Sequence, residues 1–194
     1  MKRIVLATGN KAKLNEFRQM LTDYDVVCPR DLGIAFDVDE TGETFYENAL
    51  IKARALNELV GEPTIADDSG LCVDALDGGP GVRSARYSGG GDDENNAKLL
   101  AELKDKPNRA AHFTSCIVYY DGERIISAEG YTHGVIADAL DGDNGFGYDP
   151  LFISDDLHKT FGRASEDEKN AVSHRARALA LLKRKLADEV GGAE

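Results

Sequence analysis

The stretch Ile65-Ala66-Asp67-Asp68-Ser69-Gly70 constrains the fold more than any other part of this 194-residue chain. A short apolar run, Thr64 to Ala66, carries two adjacent carboxylates at its end. A Ser-Gly turn is expected next, and apolar residues resume at Leu71, Cys72 and Val73. Neighbouring aspartates at a strand's end repel each other and lose hydration if enclosed, so something must offset them. A divalent cation with oxygen ligands is one answer. A solvated acidic turn is the other, since Asp, Ser and Gly are common turn formers. The fragment alone leaves both open.

The length favours one domain, or two intimate lobes. A hydrophobic fraction of 42% with 30% charged residues fits a soluble globular chain. The 35 acidic against 23 basic residues give a formal charge of -12. Such a surface repels nucleic acid backbones and anionic membranes, so neither is expected as a partner. A small anionic substrate needs locally concentrated Lys and Arg, and a metal. Cys28, Cys72 and Cys116 are odd in number, far apart and in apolar contexts, and read as reduced core residues of a cytosolic protein. The apolar run Ile4 to Ala7 is too short for a signal peptide, and no stretch approaches a membrane span. Only the Gly191-Gly192-Ala193-Glu194 tail looks loose.

Ile4 to Ala7 reads as a buried strand, ended by the turn Thr8-Gly9-Asn10. A helix follows with Leu14, Phe17 and Leu21 on one face and Asn10 as N-cap. Lys11 and Lys13 occupy its first turn, where the helix dipole disfavours cations. Taken alone, the segment reads first as two solvated lysines on an ordinary helix and second as a phosphate cradle. It is not a P-loop, because no GxxxxGK[ST] occurs. One or two short strands are expected over residues 25–39, broken by Pro29. Thr44 and Glu47 match a capping box, opening a helix that buries Phe45, Ala49, Ala53, Leu56 and Val60. Asn48 and Lys52 lie one turn apart on another face and are expected to reach into a cleft together. Glu40, just ahead, is a second candidate carboxylate ligand or one more surface acid.

Asp77 to Asp93 reads as a long glycine-rich loop, followed by a helix with Ala97, Leu100 and Leu103 inward. Ala110 to Ile136 reads as a hairpin turning at Asp121-Gly122, with His112 and His133 as half-exposed strand residues. In Asn144-Gly145-Phe146-Gly147-Tyr148-Asp149-Pro150 an aromatic sits between glycines, which suits a nucleobase or a hydrophobic plug in a turn. Ser165 with Glu168 caps one helix. Ser173-His174-Arg175 opens another, with Leu179, Leu182 and Leu186 inward.

These residues together resemble the inosine/xanthosine triphosphate pyrophosphatases, which hydrolyse non-standard purine nucleoside triphosphates. Four blocks carry the likeness: Thr8-Gly9-Asn10 to Lys13; Glu40-Thr41-Gly42 to Asn48-Ala49 and Lys52; Ala66-Asp67-Asp68-Ser69-Gly70-Leu71 to Ser84-Ala85-Arg86-Tyr87-Ser88-Gly89; and Gly145 to Pro150 with Ser173-His174-Arg175. The likeness runs from residue 1 to about 186. It implies an α/β fold with a long, twisted mixed β-sheet flanked by helices, a single domain of two lobes around a central nucleotide-binding cleft. It also implies Mg²⁺, a cytoplasmic homodimer, and removal of ITP, dITP and XTP from the nucleotide pool. Carried over, Asp68 is the proton acceptor and a metal ligand, with Glu40 a second ligand. Thr8, Gly9, Asn10, Lys11, Ala12 and Lys13 hold the triphosphate, with Lys52 assisting. Ser69, Phe146, Gly147, Tyr148, Asp149, Lys169, His174 and Arg175 hold the nucleotide. Gly162-Arg163 departs from the Ala-Glu pair expected before the capping serine. A pyrophosphatase with another base preference, or a non-catalytic nucleotide sensor, are the competing readings. The paired carboxylates speak against the sensor.

Overall fold

The strand expected at Ile4 forms as β1 (Lys2–Leu6), and the helix after it as α1 (Lys11–Met20). The computed structural model describes residues 2–191. The chain continues through β2 (Tyr24–Val27), α2 (Phe45–Val60), β3 (Thr64–Val73), β4 (Gly79–Pro80) and α3 (Asp92–Leu103). It then forms β5 (Ala110–Tyr120), β6 (Ile125–Ile136), β7 (Phe152–Ser154), α4 (Glu166–Val172) and α5 (His174–Gly191). The strands make one mixed sheet in the order β2-β1-β3-β5-β6-β7, with β4 paired to β3. β1 is parallel to both β2 and β3, while β3–β4 and β6–β7 are antiparallel. By contact density the chain divides into two units. One comprises Met1–Asp68, Ser115–Gly130 and Arg175–Glu194; the other comprises Ser69–Thr114 and Tyr131–His174.

In the first unit, strand alternation sorts side chains between two helical layers. Ile4 and Leu6 of β1, Ile65 of β3, and Ile117 and Tyr119 of β5 join Leu14 and Phe17 of α1 and Ala178, Leu179 and Leu182 of α5. Their neighbours Val5, Ala7, Ala66, Cys116 and Val118 face the other way, onto Ala49, Ala53 and Leu56 of α2. Both strand faces are therefore buried, which is why β1 reads as a continuous apolar run.

In the second unit, Leu71 and Val73 pack with Leu99, Leu103, Phe113, Phe152 and Phe161. Phe113 lies 4.6 Å from Phe152 and stacks on Phe161 at 6.1 Å, within the range of favourable aromatic pairs. β6 alternates strictly between buried and exposed positions, so Tyr131, His133 and Val135 look outward. His112 and His133 are accordingly open-face strand residues, their rings 5.5 Å apart.

Of the one or two strands expected over residues 25–39 one forms, and Pro29 ends it by opening a 3-10 turn, Pro29–Leu32, where its missing N–H costs nothing. Three expectations need correction. The turn at Ser69-Gly70 does not form, because β3 runs unbroken from Thr64 to Val73. The 77–93 segment is not one loop: it contains β4 and the 3-10 turn Gly81–Arg86. The buried residues of α3 are Asn95, Asn96, Leu99 and Leu103, whereas Ala97 is exposed. There the helix turns two amides, not an alanine, toward the interior. The looseness expected at the C-terminus falls on residues 192–194, outside the described residues, after α5 has reached Gly191. Among the described residues, no helix is long and apolar enough to cross a membrane, and the three cysteines are free thiols.

Candidate active site

The two aspartates of β3 face opposite ways, as consecutive strand residues must. Asp67 follows Ile65 onto the α1/α5 side and Asp68 follows Ala66 onto the α2 side. Both are nearly inaccessible, at 4% and 7% exposure. Their environments differ in kind.

Asp67 is a hub of charge. Lys13 Nζ of α1 stands 2.8 Å from its Oδ2, and Arg175 of α5 donates from Nε and Nη2 at 3.4 and 3.2 Å. Ser115 Oγ donates to Oδ1 at 2.6 Å. Burial alone would raise the pKa of this carboxyl, but Arg175 and Lys13 outweigh burial and hold it well below the usual carboxylate range. Arg175, 1% exposed, also pairs with Glu16 on α1. Its charge is thus engaged by two carboxylates of its own unit. Lys13 is pulled below the ordinary lysine value, chiefly by burial.

Asp68 sits among Lys52 and Glu40. Lys52 Nζ lies 3.1 Å from Glu40 Oε2 and 3.6 Å from Asp68 Oδ1, and donates to the carbonyl of Asp67 at 2.9 Å. Asp68 Oδ2 is buried without a hydrogen-bond partner among the described residues. Burial pushes this carboxyl up to about 6 against the pull of Lys52 and Lys13, with Glu40 and Asp67 adding to the rise. The local sequence sets this up. Thr44 and Glu47 cap α2 as expected. Asn48, one turn before Lys52, accepts from the Gly42 N–H at 2.7 Å and so holds the loop that carries Glu40. Asn48 serves that loop; only Lys52 of the pair reaches the carboxylates.

The turn after β1 is also built as expected. Asn10 Oδ1 accepts from the N–H groups of Ala12 and Lys13 at 2.9 and 3.1 Å, and Thr8 Oγ1 accepts from the Asn10 N–H at 3.1 Å. No acid occupies the first turn of α1. Thr8, Gly9, Asn10 and Lys11 line a cavity of about 260 Å³. A larger one, about 1060 Å³, lies at the opposite end of β1 around Lys2 and Arg3 and touches none of these residues.

In the second unit, the 144–150 loop, α4 and the first residue of α5 gather the remaining candidates except Ser69, a half-buried residue of β3. Lys169 Nζ meets Asp149 Oδ2 at 2.6 Å, both side chains almost fully buried. The same oxygen accepts from the Phe146 N–H at 2.9 Å, and Lys169 Nζ lies 4.6 Å from the centre of the Phe146 ring. A Cβ at Gly145 would fall 2.1 Å from Asp149 Oδ2, so only glycine closes this turn. Gly147 N–H donates to Asp92 Oδ2 at 2.8 Å, and its carbonyl accepts from Asn96 Nδ2 at 2.9 Å. Tyr148 OH donates to the Ser84 carbonyl at 2.6 Å, and burial raises its phenol. His174 stacks on Phe113 at 4.8 Å and 15°. Gly162 fits because the 141–142 backbone presses on it: a Cβ there would lie 2.6 Å from the Asp141 carbonyl oxygen. Arg163 beside it pairs with Asp141 at 2.6 Å.

Glu16, Ser115, Asp92 and Asn96 were not among the residues singled out by sequence. Glu16 lies one turn beyond Lys13, a spacing that could have flagged it. Ser115 carries no local signal at all.

The family model described as the Ham1 family matches residues 4–185. A dITP/XTP pyrophosphatase of Haemophilus influenzae is 51% identical, the match covering 95% of this chain and 98% of the relative. One of Treponema denticola is 45% identical, covering 94% and 97%. The solved structure of the Staphylococcus aureus Ham1 protein superposes with a TM-score of 0.87 at 42% identity, covering 97% of this chain and all of that one.

Proposed function

The chain belongs to the Ham1 family, and from that premise we infer that it is a nucleoside-triphosphate pyrophosphatase. It hydrolyses ITP, dITP and XTP to the monophosphate and pyrophosphate. Relatives named dITP/XTP pyrophosphatase at 45–51% identity over nearly the whole chain support the reaction. The observation that carries the site assignment is the buried, unpartnered Oδ2 of Asp68 beside Lys52 and Glu40.

In this reading water attacks the α-phosphorus and its oxygen bonds there. The α–β bridging bond breaks, pyrophosphate leaves, and the water proton passes to Asp68. A general base works best near the operating pH, and burial has moved Asp68 toward it. Lys13 and Lys52 stabilise charge that builds on the leaving group. Asp67, itself paired with Arg175, holds Lys13 in place. Thr8, Gly9, Asn10, Lys11 and Ala12 receive the phosphates at the start of α1.

The donor set suits Mg²⁺. Glu40 and Asp68 are hard oxygen donors, and Asp68 Oδ2 has no hydrogen-bond partner among the described residues. Among the described residues no group of three or more His, Cys, Asp or Glu could hold a metal. Mg²⁺ of this kind takes only one or two carboxylates and fills its shell with phosphate and water oxygens. Once bound, the ion supplies charge neutralisation and Lewis acidity.

Phe146 offers a stacking face for the base, with Ser69, Tyr148, Asp149, Lys169 and His174 positioning the nucleotide. Backbone N–H donors aimed at the 6-oxo group would be left unpaired against adenine, at about 1–3 kcal/mol each. Guanine shares the 6-oxo group, so ATP is excluded better than GTP. We further assign the enzyme to the cytoplasm as a homodimer acting as one catalytic domain, a state that sedimentation of the purified protein tests.

The test of function is pyrophosphate release from ITP, XTP, dITP, ATP and GTP, each with Mg²⁺ and with EDTA. Metal-dependent pyrophosphate, strongest for the inosine and xanthosine substrates, is expected. Orthophosphate as the product would mean that another bond is cut. Tight binding without turnover would favour the sensor.

A further inference from the structure

We propose that Asp92 and Asn96 are positioning residues that clamp both sides of Gly147 and so fix where Phe146 presents its ring. The inference rests on reading Phe146 as the platform for the base. The two side chains stand one helical turn apart on α3, hence on one face. Asp92 Oδ2 accepts from the Gly147 N–H at 2.8 Å, and Asn96 Nδ2 donates to the Gly147 carbonyl at 2.9 Å. The peptide that follows Phe146 is thereby tied to α3, while the Phe146 N–H is tied to Asp149. The ring is held from both flanks.

Asn96 is a poor choice for packing alone. It is 4% exposed, and its Oδ1 has no hydrogen-bond partner among the described residues. For packing alone, a hydrophobic residue of similar volume would leave no stranded Oδ1 there. The donor to Gly147 is what the amide contributes. Asn95, its neighbour, serves a different segment: it accepts from Ser88 N–H and Oγ at 2.8 and 2.7 Å and donates to the carbonyls of Ser84 and Ala85. Consecutive amides on one helix therefore anchor two separate loops. Neither Asp92 nor Asn96 is given a role in the chemical step; both act through Phe146.

The test compares wild type with Asn96→Ala, Asp92→Ala, Asp92→Asn and Asp93→Ala. It measures kcat and KM for ITP, the inhibition constant of IMP, and that of pyrophosphate. Asn96→Ala and Asp92→Ala are expected to raise the ITP KM and the IMP inhibition constant about tenfold, as the loss of one ordering hydrogen bond allows. The kcat at saturating ITP and the pyrophosphate constant stay near wild type. Asp92→Asn keeps an acceptor for the Gly147 N–H and recovers most of the loss. Asp93→Ala, which removes the adjacent first-turn charge without touching Gly147, leaves KM unchanged and so separates the clamp from the helix dipole. Should Asn96→Ala not fold, the exposed Asp92 carries the same test. Wild-type turnover of ITP with unaltered KM and IMP binding in the alanine variants would overturn the clamp alone. So would equal losses in kcat, IMP and pyrophosphate binding, which mark general damage. A wild type that releases no pyrophosphate from ITP would overturn the functional reading and the clamp with it.

Discussion

Asp67→Asn and Asp68→Asn exchange the same atoms one residue apart, yet they are expected to move stability in opposite directions. Asp67 balances Lys13 and Arg175 in a buried site, with Ser115 bonded to its other oxygen. Removing that charge leaves two buried cations short of a partner, a change that costs about 3–5 kcal/mol. In a chain of this size each kcal/mol moves the melting temperature by about 2–4 °C, so Asp67→Asn melts about 6–20 °C below wild type. Asp68 behaves otherwise. Burial on folding raises its pKa from 3.8 to about 6, so the folded chain binds the proton more tightly than the unfolded chain. Asp68's contribution is therefore most favourable below about pH 4 and is lost as the pH rises through 6. Above that, the carboxylate is charged in both states and its burial is a penalty of about 3 kcal/mol, at about 1.4 kcal/mol for each tenfold difference in proton affinity. Asp68→Asn removes the penalty and melts up to about 12 °C above wild type in metal-free buffer near neutrality. The gain disappears below about pH 4. Thermal melts of the three proteins at several pH values check both signs. A destabilised Asp68→Asn at neutral pH, or an Asp67→Asn that melts with wild type, would refute the separation of roles.

Three other expectations follow from the same contacts. With Asp68 as proton acceptor, kcat/KM declines as acid protonates it, at a pH that Mg²⁺ on the same carboxylate lowers from the metal-free value of about 6. Lys52→Met removes the strongest influence lowering that value and shifts the decline to higher pH, readable in a pH–rate profile. Asn10→Ala strips the cap from two N–H groups of α1 and costs about 1–2 kcal/mol in a denaturant titration, together with a raised KM for triphosphate. Gly162→Ala forces a methyl against the Asp141 carbonyl oxygen and Pro150 Cα, at 2.6 and 2.8 Å. It is expected to lose about 1–3 kcal/mol by thermal melt, and a wild-type melt would show that the 141–142 backbone yields easily.

Local chemistry was the legible part. Asn10, Thr44 and Ser165 cap their helices as their spacing requires, because a cap is decided within four residues. The hairpin around Asp121 was readable for the same reason. What escaped depended on distant partners. Asp67-Asp68-Ser69-Gly70 has the composition of a turn, and β3 persists through it because Lys13 and Arg175 neutralise Asp67 and Ser115 donates to it, from three separate segments. No window around residue 67 contains that information. The inward amides of α3 escaped likewise, since their partners are backbone groups of remote loops. The resemblance gave Asp68 the chemical role and left Asp67 without one, but the division of the two between opposite helical layers was not legible.

That division makes the strand sensitive to odd and even. Everything distinguishing Asp67 from Asp68 comes from the layer each one meets: α1 and α5 for residues in step with Ile65, α2 for those in step with Ala66. Inserting one residue between Thr64 and Ala66 would carry Asp67 to the Lys52 side and Asp68 to the Arg175 side, and would turn the apolar residues over with them. Inserting two would restore the original facing while moving both acids one full pleat along the sheet. Length variation in this strand is thus governed by parity before it is governed by size. The doubled aspartate does not relax the rule, because either acid in the other's place meets the wrong cations.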